Sequence, residues 1–174
     1  MKVEQTKIAG VFIVHSDPFK DDRGFFNRIF CQKEMEVIHP GIVIAQINHS
    51  MTKLKGTIRG MHFQNPPHAE MKIIHCVKGS IYDVAVDLRK DSPTFLQWHG
   101  EMLSADNMKA LIIPEGCAHG FQSLEDDIEI MYMSTSPYCR EAEGGIRFDE
   151  PKTGIQWPIP VTILSEKDSD LKYL

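Results

Sequence analysis

From residue 42 the chain takes up a period of two and keeps it in short runs cut by glycine and proline. Successive side chains on a strand point to opposite faces, so a half-buried strand reads as alternation. MKIIHCV puts Met71, Ile73, His75 and Val77 on one face and Lys72, Ile74 and Cys76 on the other. SIYDVAVDLR puts Tyr82, Val84, Val86 and Leu88 on an apolar face, with Asp83 and Asp87 beside Ile81 and Ala85 opposite. Residues 97–103, 109–114, 117–124 and 128–134 are further strands. Gly56, Gly60, Pro66-Pro67, Gly79, Pro114 and Gly116 supply the breaks. With an apolar strand at 8–14 and an aromatic one at 25–30, roughly ten short strands are predicted, the pattern of an all-β sandwich or barrel. Helix is confined to 31–39, which must stop by Pro40, and to a C-terminal turn capped by Ser165.

At 174 residues, 42% hydrophobic and 25% charged, the chain can bury one core, so a single domain over 1–174 is expected and global disorder is not. The net charge is -5 and basic residues never run beyond two, which argues against a nucleic-acid partner. No apolar run is long enough to span a membrane. The N-terminus carries charges throughout and no signal-type block, so a cytoplasmic protein is expected. Cys31, Cys76, Cys117 and Cys139 form no CxxC pair and read as free thiols. Cys117 is read as structural rather than nucleophilic because its flank is apolar.

Against this apolar background the ionisable groups in strands stand out, because an isolated one is costly unless paired or used. The segment Arg59–Arg89 holds His62, Lys72, Asp83 and Asp87; Tyr132 sits on a later apolar face and Asp168 near the end. A base, a cation, a phenol and an orienting carboxylate suffice for proton transfer beside a carbonyl. A metal centre drawn from His62, His68, Glu70, His75 and His119 is the competing reading. PEGCAH resembles the second metal motif of cupins, but Gln64 stands where the first motif's second histidine belongs. In IVIAQINHS, Ile44, Gln46, Asn48 and Ser50 share a face, either a solvent face or a polar row inside a barrel. No glycine-rich phosphate loop is present, so a phosphate would be held by Arg23 and Arg59. Strict alternation places Arg59 and His62 on opposite pleats; if both line one site, Gly60 must mark a bulge, twist or strand start.

The ordered segments DDRGFF, QINHS, KGTIRGMHFQNPP, KGSIYDVAVDLRKDSPTF, IPEGCAHGF, YMSTSPY, the Trp157-Pro158 pair and LSEKD cover nearly the whole chain. In them the chain resembles the dTDP-4-dehydrorhamnose 3,5-epimerase family. The resemblance implies a cupin-type double-stranded β-helix, a jelly-roll barrel with short peripheral helices, without metal or other cofactor. It implies an isomerase inverting C3, C5 or both in a nucleoside-diphospho 4-keto-6-deoxyhexose through an enolate, in deoxysugar and polysaccharide biosynthesis. His62 is then the base, Asp168 its partner, Lys72 the enolate stabiliser and Tyr132 the opposite-face acid. Substrate contacts map to Arg23, Arg28, Gln46, Asn48, Arg59, His119, Tyr138, Glu143 and Lys167, with Arg59 at the diphosphate. Arg23 reaches the site of the neighbouring subunit, so a homodimer with shared active sites is implied. Glutamate is usual in the family where Arg28 stands, and glutamine where Glu70 stands; the first change leaves the nucleotide open. A single-centre epimerase, a 3,4-ketoisomerase, a metal-dependent cupin and a non-catalytic sugar-binding cupin remain as alternatives.

Overall fold

The computed structural model describes residues 1–174. Its strands are β1 (Lys2–Gln5), β2 (Phe12–His15), β3 (Phe19–Asp21), β4 (Gly24–Phe26), β5 (Gln46–Thr52), β6 (Ile58–Gln64), β7 (Lys72–Lys78), β8 (Ser80–Asp87), β9 (Trp98–Ser104), β10 (Ala110–Ile113), β11 (Cys117–Ser123), β12 (Ile128–Ser134) and β13 (Glu143–Gly145). Two short helices, α1 (Gln32–Met35) and α2 (Glu166–Ser169), lie outside them. One sheet runs β1-β2-β10-β7-β12-β5, the other β13-β6-β11-β8-β9, and β3 and β4 form a separate hairpin. All pairings are antiparallel.

The alternation explains the layering. Ile74 and Cys76 of β7, Ile81 and Ala85 of β8, Leu111 and Ile113 of β10, Phe121 of β11 and Ile128 and Ile130 of β12 form one apolar cluster. Lys72 shares its pleat with Ile74 and Cys76, and Asp83 with Ile81 and Ala85, so both polar groups enter the interior. The other pleat of β7 is also buried: Ile73 packs with Val14, Met35, Ile42, Met71, Ile112 and Met133 beneath the segment around α1. A strand covered on both faces has no solvent side on which to put a polar residue, and His75 lies there in the interior. A third cluster joins Met61, Val84, Val86, Ala118 and Ile146 under the C-terminal segment, with Trp98 and Trp157 packed against it.

Three local expectations change. The helix predicted over 31–39 is reduced to Gln32–Met35: Cys31 provides no side-chain cap, and β-branched Val37 and Ile38 precede Pro40. The strand at 8–14 starts only at Phe12, because Ile8 and Val11 are buried in a turn, while Lys2–Gln5 adds an edge strand that no alternation announced. The aromatic strand at 25–30 is short and exposed, paired only with β3. In β5 the polar row faces inward: Gln46, Asn48 and Ser50 are half-buried, whereas Ile47 and Met51 are 60% and 44% exposed.

Gly60 settles the pleat conflict between Arg59 and His62. Arg59 pairs with Phe121 and His62 with His119, so β6 spends one residue more than β11 over this interval. Such a bulge turns the following side chain to the other face. Gly60 has φ +135°, and a Cβ there would lie 2.5 Å from the Gly120 Cα and 2.9 Å from the His119 carbonyl oxygen. Neither neighbour is a flexible side chain. Gly60→Ala is therefore expected to destabilise the protein by about 3 kcal/mol or more, measured by urea unfolding; a change within experimental error rejects the close-packing account.

His75 makes a second prediction. Burial pushes its pKa down to about 4, against a hydrogen bond to the Ile29 backbone. The unfolded chain takes up this proton near 6.5, the folded chain only near 4, so stability falls as pH drops through that window. By pH 5 the loss attributable to His75 is about 2 kcal/mol. His75→Phe should lose correspondingly less stability than wild type between pH 7 and pH 5; equal losses reject the assignment.

Candidate active site

A cavity of about 440 Å³ opens between the two sheets. β6 contributes Arg59 and His62, β7 Lys72, β11 His119 and Phe121, β12 Ile130 and Tyr132, and β5 Ser50; Ile163, Ser165, Lys167 and Asp168 close it from the C-terminal segment. Apolar Phe121, Ile130 and Ile163 dry the wall among the polar groups.

The C-terminal segment is pinned by Asp168. Ser165 caps α2, its hydroxyl accepting the Asp168 N–H at 3.1 Å. The Asp168 carboxylate, 3% exposed, lies with Oδ1 2.6 Å from His62 Nε2, while Oδ2 accepts the Gly60 N–H at 3.3 Å. Burial pushes this carboxyl up, but the hydrogen bond and charge of His62, with the Gly60 and Ser165 contacts, hold it below the usual carboxylate range. Nε2 being engaged with the carboxylate, Nδ1 is the His62 nitrogen left for a ligand.

The other polar groups are tethered in the same manner. His119 Nε2 lies 2.8 Å from Oδ1 of fully buried Asp83. Lys72 Nζ lies 3.1 Å from Glu70 Oε1 and 3.5 Å from the His62 carbonyl oxygen. Arg59 donates from Nε to Thr52 Oγ1 at 3.0 Å and from Nη2 to the Met51 carbonyl at 3.2 Å. Lys167 donates to Glu143 Oε1 at 2.5 Å, and this ammonium lowers the Glu143 pKa. Burial, then the Glu70 charge, push the Tyr132 phenol up, against the opposing Arg59 guanidinium.

The structure thus gathers His62, Lys72, Tyr132, Asp168, Arg59, His119 and Lys167 around one space, with Glu143 tied to it through Lys167. Asn48 and Gln46 stand opposite Tyr132 and Ser134 in the β5–β12 register but outside the cavity wall. Tyr138 is exposed, its backbone N–H donating to Gln46 Oε1 at 2.9 Å. Arg23 and Arg28 are not brought to the cavity within one chain. Arg23 sits on the β3–β4 hairpin, 88% exposed and paired with Asp21; that hairpin hydrogen-bonds to neither sheet. Arg28 pairs at 3.2 Å with Glu34, which also binds the N-terminal ammonium, beside a separate cavity of about 220 Å³.

The residues named for a metal do not form a ligand set. His62, His119 and Glu70 are engaged by Asp168, Asp83 and Lys72, and His75 lies on the opposite pleat of β7; no group of three or more His, Cys, Asp or Glu side chains forms. Cys117 is buried, which pushes its thiol up to about 12, far from a nucleophilic thiolate. The sequence reading did not assign Phe121 and Ile130 to the site, although each lies two residues from an assigned one on the same pleat. It also missed Thr57 and Ile163, for which no local pattern gives a signal, and it read Ser165 only as a helix cap.

The family model of dTDP-4-dehydrorhamnose 3,5-epimerase matches residues 5–174. The chain belongs to this family. A dTDP-4-dehydrorhamnose 3,5-epimerase from Shigella flexneri is 43% identical over 169 residues, 97% of this chain and 93% of its own length. The crystal structure of the Bacillus anthracis epimerase with TDP and pyrophosphate bound superposes with a TM-score of 0.95 at 42% identity, covering 99% of both chains. That of the Legionella pneumophila enzyme in complex with dTDP-4-keto-L-rhamnose gives 0.93 at 35% identity, covering 99% of this chain and 92% of that one. Family membership identifies the two-sheet barrel as a cupin-type jelly roll and the protein as an isomerase of the carbohydrate epimerase class, acting on deoxysugars. No helix is long and apolar enough to cross a membrane.

Because one buried carboxylate pins the C-terminal segment over the cavity, removing it has a structural signature. Asp168→Ala leaves the Gly60 N–H and the His62 ring without their partner and should cost about 3 kcal/mol. Asp168→Asn keeps an acceptor for one of them and should cost about half as much. Urea unfolding of both variants checks the order; equal stability of Asp168→Ala and wild type rejects it.

Proposed function

We propose that this chain inverts C3 and C5 of a dTDP-linked 4-keto-6-deoxyhexose through an enolate, a step of deoxysugar and polysaccharide biosynthesis. The observation that carries the reading is the His62–Asp168 pair at 2.6 Å, in one cavity with Lys72 and Tyr132. The hydrogens at C3 and C5 flank the C4 ketone and are acidic. His62 Nδ1 takes the proton, and the C–H electron pair moves toward the C4 oxygen. Asp168 offsets the imidazolium that forms. The Lys72 ammonium faces the developing oxyanion, a contribution of the kind worth about 3 kcal/mol in a dry site. Tyr132, held protonated by its surroundings, returns a proton to the opposite face. His62 then gives its proton to solvent and Tyr132 regains one from it, and a second round at the other carbon completes the double inversion.

Arg59 receives the diphosphate, and His119, Gln46, Asn48, Tyr138, Glu143 and Lys167 contact the nucleotide sugar. The hairpin bearing Arg23 leaves Phe19, Phe25 and Phe26 exposed, an apolar arm suited to covering a second copy's site. On this reading the protein is a homodimer in which Arg23 crosses to the neighbouring cavity and Arg28 lies at the nucleotide end. One domain, 1–174, carries the site, since both sheets and the C-terminal segment meet there. The four free cysteines agree with a reducing cytoplasm.

Incubation with a dTDP-4-keto-6-deoxyhexose in deuterated water should place deuterium at both C3 and C5, read by NMR. Label at one carbon makes the protein a single-centre epimerase, and none, with folded protein, rejects the reading. His62→Ala should stay folded, its ring being part-exposed, and lose exchange by about 10²–10⁴-fold. Undiminished exchange in that variant removes His62 as the base.

A further inference from the structure

Glu70 lies outside the cavity wall and has no part in the proton transfers above, yet its carboxylate is buried against Lys72 and against Ser134 of the strand that bears Tyr132. Its backbone precedes β7 and is clamped to the end of β12: the Met71 N–H donates to Thr135 Oγ1 at 2.9 Å, and the Thr135 N–H to the Met71 carbonyl at 3.1 Å. Glu70 Oε2 accepts the hydroxyl of fully buried Ser134 at 2.5 Å. Oε1 faces Lys72 Nζ at 3.1 Å, and the Glu70 and Lys72 side chains are only 9% and 13% exposed. A long lysine side chain gains a single geometry when its ammonium is bound at such a site, and a buried carboxylate is tolerable only with a partner of this kind.

We propose that Glu70 is a positioning residue for the epimerisation, its Ser134-held carboxylate anchoring the Lys72 ammonium at the cavity wall and setting the charge balance beneath Lys72 and Tyr132. The proposal rests on the epimerase reading for its catalytic meaning. Around Tyr132 the wall carries Arg59 and His62 from β6, Lys72 from β7, His119 from β11, and Lys167 and Asp168 from the C-terminal segment. Asp168 is engaged with His62, and Lys167 with Glu143. Glu70 is therefore the anion on the Lys72 side. Ser134, which holds the carboxylate, pairs with Lys72 across β7 and β12 and lies two residues from Tyr132 on the same pleat. At that position the Glu70 charge favours the protonated phenol, the form an acid needs, while its contact with Lys72 keeps that cation aimed at the cavity.

Glu70→Gln isolates the charge. The amide oxygen can still accept from Lys72, and Ser134, which also lies 2.9 Å from the Ser136 carbonyl, can donate there while accepting from the new amide. The test is an ultraviolet-difference titration of tyrosinate without substrate. The chain has four tyrosines, and Tyr132→Phe in each background isolates the Tyr132 signal. In Glu70→Gln the Tyr132 midpoint should fall, and the alkaline limb of deuterium exchange should fall with it. Glu70→Asp keeps the charge but draws it back by one methylene, and should give a smaller fall in the same direction. A merely structural role would change stability and leave both midpoints at the wild-type value, and that result overturns the proposal. If Glu70→Gln does not fold, Glu70→Asp alone decides on the same criterion. The titration needs no turnover, so absence of exchange in the wild-type protein would reject the epimerase reading and still leave the Tyr132 midpoint to decide on Glu70.

Discussion

The close approach of Gly60 to Gly120 is the contact on which the rest of this architecture turns. Two strands of one sheet meet there without side chains between them, and β6 takes one residue more than β11. That extra residue brings Arg59 and His62 to the same side. It also turns the Gly60 N–H toward Asp168, so the bulge that aims the histidine supplies part of the socket for its carboxylate. A strand of regular period would present either Arg59 or His62 to the cavity.

A common device fixes the other groups. Asp168 holds His62, Asp83 holds His119, Glu70 holds Lys72 and Glu143 holds Lys167. Three of these carboxylates are nearly or fully buried, where a pair contributes little net stability because desolvation offsets attraction. Their value lies in geometry: each functional nitrogen has one place to be. The apolar clusters supply the stability, and β7, buried on both pleats, joins two of them. Lys72 is carried on that strand.

Much of this was readable in residue order. Alternation in MKIIHCV and SIYDVAVDLR sorted Lys72 with Ile74 and Cys76, and Asp83 and Asp87 with Ile81 and Ala85, but marked the face of Tyr82 and Val84 as the apolar one; that both pleats of β8 are buried came from the packing. If Arg59 and His62 were to share a site, Gly60 had to mark a bulge, a twist or a strand start, and the structure makes it a bulge. Ser165 announced the cap that positions Asp168. Other features were ambiguous because the local pattern has two solutions. The polar row of β5 alternates identically whether it faces solvent or cavity, and only the packing of β5 beside β12 turns Gln46, Asn48 and Ser50 inward and leaves Ile47 and Met51 outside. Asp87 looked equivalent to Asp83, yet it binds Arg89, Ser92 and Thr94 at the far end of β8 and has no part in the site.

By itself the sequence determined most of the strands, which residues share a pleat, the family and the inventory of imidazole, ammonium, phenol and carboxylate groups, because those properties are local or follow from residue order. The tertiary structure alone decided which of those groups meet. His62 and Asp168 are 106 residues apart in the chain and 2.6 Å apart in space. It also decided that Glu70 pairs with Lys72, and that Arg23 and Arg28 stand away from their own chain's cavity. The physical reason is that period and propensity act over a few residues, whereas a site is made by contacts between strands whose neighbours are set by sheet order and not by chain order.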